Sequence, residues 1–340
     1  MKNILRTYSF VLFTLAMTSA SAQDIHFSQF YFSPLTLNPA KTGSVDATYR
    51  FCGIYRNQWA SVTIPYVTYS ASFDASLFRG HLNNDAIGTG LIIMNDHSGD
   101  GNLSNLTIGG SLAYQKAIDP DGNFHLGIGA QAEYVQKSVD LSKLTFADNF
   151  VINHFDPVAS PTAEVVNPTL TYVNMNAGID LNGFLSNNIR GSMGFAAFNL
   201  NKPKETFLNA TNALDTRYVA YFSAALKTGP KIFFFPSAQY MLQTTAQKLV
   251  AGGAIGFNMS HSRYKVGNIF MAGASVRAGD AVIVNAGLLM KQLHAGISYD
   301  VNTSSLATAS GGNGGFEIAV IYFGQVTPIK RVRRTYCPRF

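Results

Sequence analysis

Strict alternation of apolar and small polar residues, repeated along most of the chain, restricts its fold more than any other feature. From Val67 to Leu77 the odd positions are Val67, Tyr69, Ala71, Phe73, Ala75 and Leu77, and the even ones are Thr68, Ser70, Ser72, Asp74 and Ser76. The same period of two runs through Phe124 to Tyr134, Val173 to Leu181 and Leu293 to Val301. Such alternation marks strands with two unlike faces. A soluble sandwich would place charge on its polar face, whereas here that face is Gly, Ser, Thr, Asn and Gln. Charged residues make up 13% of the chain, about half the ~25% of a soluble domain. Past the N-terminus no run approaches the ~20 apolar residues of a spanning helix. An apolar surface that is discontinuous in sequence fits a transmembrane β-barrel, with a wet or plugged lumen behind it.

The chain therefore reads as all-β, an antiparallel transmembrane barrel over residues 47–324. It has about fourteen strands of roughly ten residues, the length a tilted strand needs to cross. They begin near Ala47, Val67, Ala86, Leu103, Asn123, Leu170, Asn188, Arg217, Lys231, Lys248, Tyr264, Ala281, Gln292 and Gly315. Barrels of this type have short turns on one side and long loops on the other. Asp119-Pro120-Asp121-Gly122, Thr228-Gly229-Pro230 and a turn near Lys291 fall on one side. Asn57 to Tyr66, Asp140 to Pro168, Leu200 to Thr216 and Asn302 to Gly314 fall on the other, with one short exception at Arg277 to Asp280. An even strand number puts both ends of the barrel on the short-turn, periplasmic side.

The first 22 residues read as an export signal: Lys2 and Arg6, an apolar stretch from Tyr8 to Met17, then Ala20-Ser21-Ala22 as an A-x-A cleavage site. Cleavage is expected near Ala22/Gln23. Residues 23–46 are too aromatic for a free tail, with Phe27, Phe30, Tyr31 and Phe32. Ser33-Pro34 suits a helix start and Asn38-Pro39 a stop, so the segment reads as ordered, packed into or under the barrel. Of the net charge of +6, Lys2 and Arg6 contribute two. Residues 325–340 carry Lys330, Arg331, Arg333, Arg334 and Arg339 and no acid. Without signal and tail, 18 basic residues face 19 acidic ones, a balance of −1. The basic character belongs to the tail, on the periplasmic side, where it suits anionic headgroups, peptidoglycan or an acidic partner. Nucleic acid is not an expected partner, since no basic stripe runs through the fold. Cys52 and Cys337 lie at opposite ends of the chain; an exported protein can join them or leave both unpaired.

No nucleophile elbow, Walker loop or zinc signature is present, and no cofactor or metal is expected. Gly88-Thr89-Gly90 sits inside a strand and lacks a third glycine. Asp119, Asp121 and Asn123 read as a reverse turn rather than half a calcium loop. A barrel hydrolase would need Ser, His and a polar orienter converging at one rim, and no such set is evident, so no enzymatic activity is expected. In the first strand Arg50, Cys52 and Arg56 share one face, opposite Tyr49, Phe51 and Tyr55. An unpaired Arg facing lipid is costly, so Arg50 and Arg56 are expected in the lumen, with Arg56 paired to a carboxylate or to carbonyls of the N-terminal segment.

Several motifs resemble one family. Gln29 and Phe30, then Leu37-Asn38-Pro39-Ala40 with Gly43, resemble the mature start of the PorP/SprF family of Bacteroidetes outer membrane proteins. Tyr55-Arg56-Asn57-Gln58-Trp59 is similar to its most recognisable motif. Gly296-Ile297-Ser298-Tyr299-Asp300 and Gly315-Phe316-Glu317-Ile318 resemble its closing strands, with Gly-Phe-Glu where many members have a His before the Glu. Cys337-Pro338-Arg339-Phe340 resembles a frequent ending. The resemblance implies a non-enzymatic role in type IX secretion. The implied partners are a secreted surface protein with a C-terminal secretion domain, such as a gliding adhesin, and other secretion components in the periplasm. Asn38-Pro39-Ala40 also resembles the hatch of fatty-acid porins, which keeps a transporter for small apolar ligands as the alternative.

Overall fold

The computed structural model describes residues 25–62, 64–82, 84–144, 150–151, 154–155, 168–207, 212–260 and 266–326. Fourteen antiparallel strands close into one barrel, each paired with its neighbours in chain order. They are β1 (Tyr49–Gln58), β2 (Tyr66–Leu82), β3 (Asp85–Ser98), β4 (Leu103–Ala117), β5 (Phe124–Ser138), β6 (Thr169–Ser186) and β7 (Ile189–Phe198). The second half is β8 (Arg217–Lys227), β9 (Ile232–Gln243), β10 (Ala246–Asn258), β11 (Ile269–Arg277), β12 (Ala281–Leu289), β13 (Leu293–Asn302) and β14 (Asn313–Gly324). Closure pairs β1 with β14, from Tyr49 opposite Gly324 to Gln58 opposite Gly315. A barrel without an edge leaves no row of unpaired backbone groups in lipid. Among the described residues no helix is long and apolar enough to cross a membrane.

The alternation assigns the two faces as expected. Tyr69 and Phe73 are exposed, while Thr68, Ser72 and Asp74 are buried in the lumen. Ile128, Val173, Met175, Ile179 and Ile297 lie outside, and Gln131, Asn174, Asn176, Asp180 and Ser298 inside. Aromatic rings gather toward both ends of the wall. Tyr49 packs near Phe73 and Tyr322 at the terminal rim, and Tyr55 near Tyr69 with Trp59 against Tyr66 at the loop rim. Aromatic girdles of this kind mark the two membrane interfaces. Ile93 sits opposite Ala71, itself opposite Gly53 midway along β1. Ile93→Arg is therefore expected to cost about 2–4 kcal/mol, and Phe73→Arg, beside the rim ring of Tyr49, clearly less. Denaturant refolding into lipid vesicles reads both.

The turn pattern needs one correction. Two further tight turns, at Gly99 to Asn102 and between Gln243 and Ala246, stand on the long-loop side beside the one at Arg277 to Asp280. The eleventh strand starts at Ile269, and residues 266–268 before it belong to no strand; the expected start near Tyr264 lies outside the described residues. Asn258 ends β10, and its Oδ1 accepts the N–H groups of Ser260 and Gly267. The turn before β5 is a reverse turn, with the Asp119 carboxylate accepting the N–H groups of Asn123 and Phe124.

Candidate functional site

The lumen is occupied by the chain's own residues 25–48. Ser33 and Pro34 start a single helical turn, α1 (Pro34–Leu37), because proline presets the first helical position. Asn38 then leaves the helix with φ −163° and ψ 125°. Its Oδ1 accepts the N–H of Ala40 at 2.8 Å and so caps the next turn, Pro39–Lys41. Phe30, Phe32, Leu35 and Leu37 are buried. Clusters of buried apolar side chains join Phe32 to Phe233, Phe235 and Met271, and Phe30 and Leu37 to Val219 and Ile283.

Glycines on the inner face let this plug touch the wall. A Cβ at Gly178 would lie 2.0 Å from Asn38 Oδ1, and one at Gly88 would lie 2.0 Å from the Thr42 carbonyl oxygen. With no side chain there, Asn38 donates to the Ile179 carbonyl at 2.8 Å, and Gln115 donates to the carbonyls of Ala40 and Thr42. The small polar residues of the alternating pattern are thus a docking surface for backbone.

Ionic contacts fasten the plug at four places, the simplest being Arg190 of β7 on Asp46 at 2.6 Å; the other three are larger groups. Toward the terminal rim Arg50 makes a two-armed pair with Asp74 at 2.9 and 2.8 Å and donates to the Lys41 carbonyl. Asp74 also accepts the Gly43 N–H at 2.7 Å. On the wall of β6, Asp180 accepts from Tyr221 and Ser192 and lies 3.5 Å from the Lys41 ammonium. Burial pushes Lys41 below its ordinary pKa, against the pull of Asp180.

The third group lies at the loop end and is the densest. Arg56 donates to Glu317 at 2.5 Å, to Asp300 at 3.3 Å and to the His26 carbonyl at 3.2 Å. Arg277 donates to Asp300 at 2.6 Å and to Asp280 at 3.1 Å. The backbone N–H groups of Ser28 and Gln29 both point into the Glu317 carboxylate, at 2.5 and 3.0 Å, and the Ser28 hydroxyl donates to Asp300. Arg56, Arg277, Asp300 and Glu317 are at most 3% exposed. Among these four buried side chains two cations face two anions, and both Asp300 and Glu317 also hold the plug. Such pairing is what makes charge tolerable out of water.

The sequence-derived residues divide by place. Gln29, Asn38 and Pro39 are in the plug, all buried. In the first-strand motif Arg56 points inward into the ionic group, and Gln58 accepts from its Nε at 3.3 Å. Asn57 donates to the Tyr55 hydroxyl, and Trp59 ends the strand at φ +58° with its N–H on the Gly314 carbonyl. Cys52 is buried on the inner face. Cys337, Pro338, Arg339 and Phe340 lie outside the described residues, as do the signal segment and the basic tail from Thr327, so the Cys52–Cys337 question falls there too. The motifs of the first and last strands meet: Arg56 of one binds Asp300 and Glu317 of the other. Arg277 and Asp180 were not singled out in sequence; a lone charge on an inner strand position was their signal.

A closed fourteen-stranded barrel, apolar outside and filled by its own N-terminal segment, is an outer-membrane-type β-barrel with a fastened plug. Residues 19–322 match the model of the family described as type IX secretion system membrane protein PorP/SprF. The match covers most of the chain, which belongs to that family and, with this fold, to the outer membrane. No protein of curated function matches. Among solved structures, the CymD monoaromatic hydrocarbon channel is similar at 10% identity and TM-score 0.47, over 86% of this chain and 92% of that one. The P. putida toluene transporter TodX is similar at 10% identity and TM-score 0.45, over 85% and 92%. The KdgM porin in complex with disordered oligogalacturonate is similar at 5% identity and TM-score 0.39, over 80% and 98%.

Proposed function

We propose that this barrel is a non-enzymatic component of type IX secretion. It supports export and surface attachment of a partner carrying a C-terminal secretion domain, with a gliding adhesin as the type. Family membership supplies the pathway. The structural observation that supports a scaffold over a conduit is the plug, held to the wall by ionic contacts at four places and by backbone contact at glycines. A segment fastened at that many points is a fixed part of the barrel rather than a gate.

In this reading the signal is removed near Ala22/Gln23 and the tail from Gln325 serves periplasmic secretion components. Of the described inner-face acids, Asp74, Asp180, Asp300 and Glu317 are engaged by the plug or by arginine, while Asp96 and Glu133 accept from the neutral Thr68 and Gln131. Two such acids are fewer than the five cations of the tail, and concentrated charge without enough partners is costly there. Truncation after Gln325 tests this. The expected result is a heat-stable barrel in the membrane, by shifted mobility on unheated gels, with surface attachment of the partner lost. Normal surface display by the truncated chain would refute the tail's role.

A further inference from the structure

We infer that a water-filled seam runs behind the plug, from the periplasmic rim to the seat of Tyr31, with Ser223 joining its two parts. The strand registers lay out its track. Asn182 of β6 stands opposite Ser192 of β7, Ser192 opposite Ser223 of β8, and Ser223 opposite Ser237 of β9. Ser237 then faces Gly252 of β10, and Gly252 faces Ser275 of β11. One row of amide, hydroxyls and glycine thus crosses six strands on the inner face. Strands tilt against a barrel's axis, so a row of paired residues climbs away from the rim. Asn182 lies toward the terminal end of β6, and Ser275 toward the loop end of β11.

Two cavities of about 20 Å3 each follow this row. The lower one lies between Lys41 and Ser44 of the plug and Asn182, Arg190 and Ser223 of the wall. Arg190 stands at the start of β7, on the terminal side. The upper one lies beside Tyr31 and is lined by Ser223, Ser237, Ser275, Asn285 and Met271. Ser223 lines both, so the two meet there. A water needs roughly 10–15 Å3 of such space and polar partners around it, so each cavity takes water and nothing much larger. Asn285 Oδ1 is buried with no hydrogen-bond partner among the described residues. The upper cavity therefore presents an acceptor that water can meet and an apolar occupant cannot. In the lower one Lys41 and Arg190 are each met by a carboxylate, Asp180 and Asp46, which favours water over an ion. The seam lets water from the periplasm reach the middle of the lumen while solutes stop at the rim.

X-ray radiolysis tests the seam. The full chain in phosphatidylcholine nanodiscs is irradiated in water enriched in heavy oxygen, and the oxidised side chains are mapped by mass spectrometry. Bound water yields hydroxyl radicals in place, which oxidise the side chains beside it. Met271, buried against the upper cavity, is the reporter. Met241, buried in the apolar cluster of Phe30 and Leu37, is the control. Met271 is expected to oxidise several-fold faster than Met241. Gly191→Val fills the lower cavity; its Cβ would lie 3.5 Å from Leu185 and 3.8 Å from the Ser223 carbonyl oxygen, so it fits. That variant should bring Met271 down to the rate of Met241. Should it not assemble, Ser223→Leu blocks the junction and should cause the same loss. Met271 oxidising no faster than Met241 in the wild-type chain would overturn the inference. So would fast oxidation of Met271 that survives whichever of the two variants assembles.

Discussion

Glu317→Ala is expected to destabilise the barrel by about 3–5 kcal/mol, the cost of breaking a buried ion pair by removing one partner. Arg56 would keep only Asp300 as a carboxylate partner, and Asp300 is already shared with Arg277. The Ser28 and Gln29 N–H groups would lose their acceptor inside the lumen. The losses fall at one place, so Arg56→Ala and Glu317→Ala combined should cost far less than their sum. Reversible unfolding of the single and double variants in detergent–lipid micelles measures the coupling. Strict additivity would mean that the two side chains do not act together.

Gly178→Val is expected to displace the plug while leaving the strands in place. The added Cβ would lie 2.0 Å from Asn38 Oδ1 and 3.1 Å from the Phe195 carbonyl, so Asn38 must leave its position between β6 and β7. Overpacking of this kind costs about 1–3 kcal/mol. The larger consequence is functional: with residues 38–43 off the wall, the lumen opens. Planar-bilayer recordings should show conductance rising well above that of the wild-type chain. Gly110→Val is the control, because a Cβ at Gly110 meets nothing within 4 Å on the lipid face. Its stability should stay within about 0.5 kcal/mol of wild type. Equal conductance in the Gly178 variant and the wild type would show that the plug does not seal the lumen.

The period-two pattern made the barrel legible because each strand repeats the same physical contrast. Thr68, Ser72 and Asp74 had to turn away from lipid if Tyr69 and Phe73 faced it, and they do. The inward placement of Arg50 and Arg56 followed from the same contrast, together with the cost of a lipid-facing guanidinium. The kind of partner expected for Arg56 is found, carboxylates and the His26 carbonyl of the N-terminal segment, but which carboxylates was not legible. Arg56 and Glu317 are 261 positions apart and meet only because closure brings β1 beside β14. The role of the inner glycines was also hidden. In sequence Gly178 is a small residue on a polar face, and its purpose shows only once Asn38 is seen against it.

The central claim is that this barrel holds a secreted partner rather than passing a small solute. The direct measurement is the distribution of proteins bearing a C-terminal secretion domain between cell surface and medium. It is made in cells lacking this chain and in cells with it restored. The account predicts that at least one such protein disappears from the surface without the chain and returns with it, while other outer membrane barrels keep their levels. An unchanged surface population, with uptake of a small apolar compound lost instead, would contradict it.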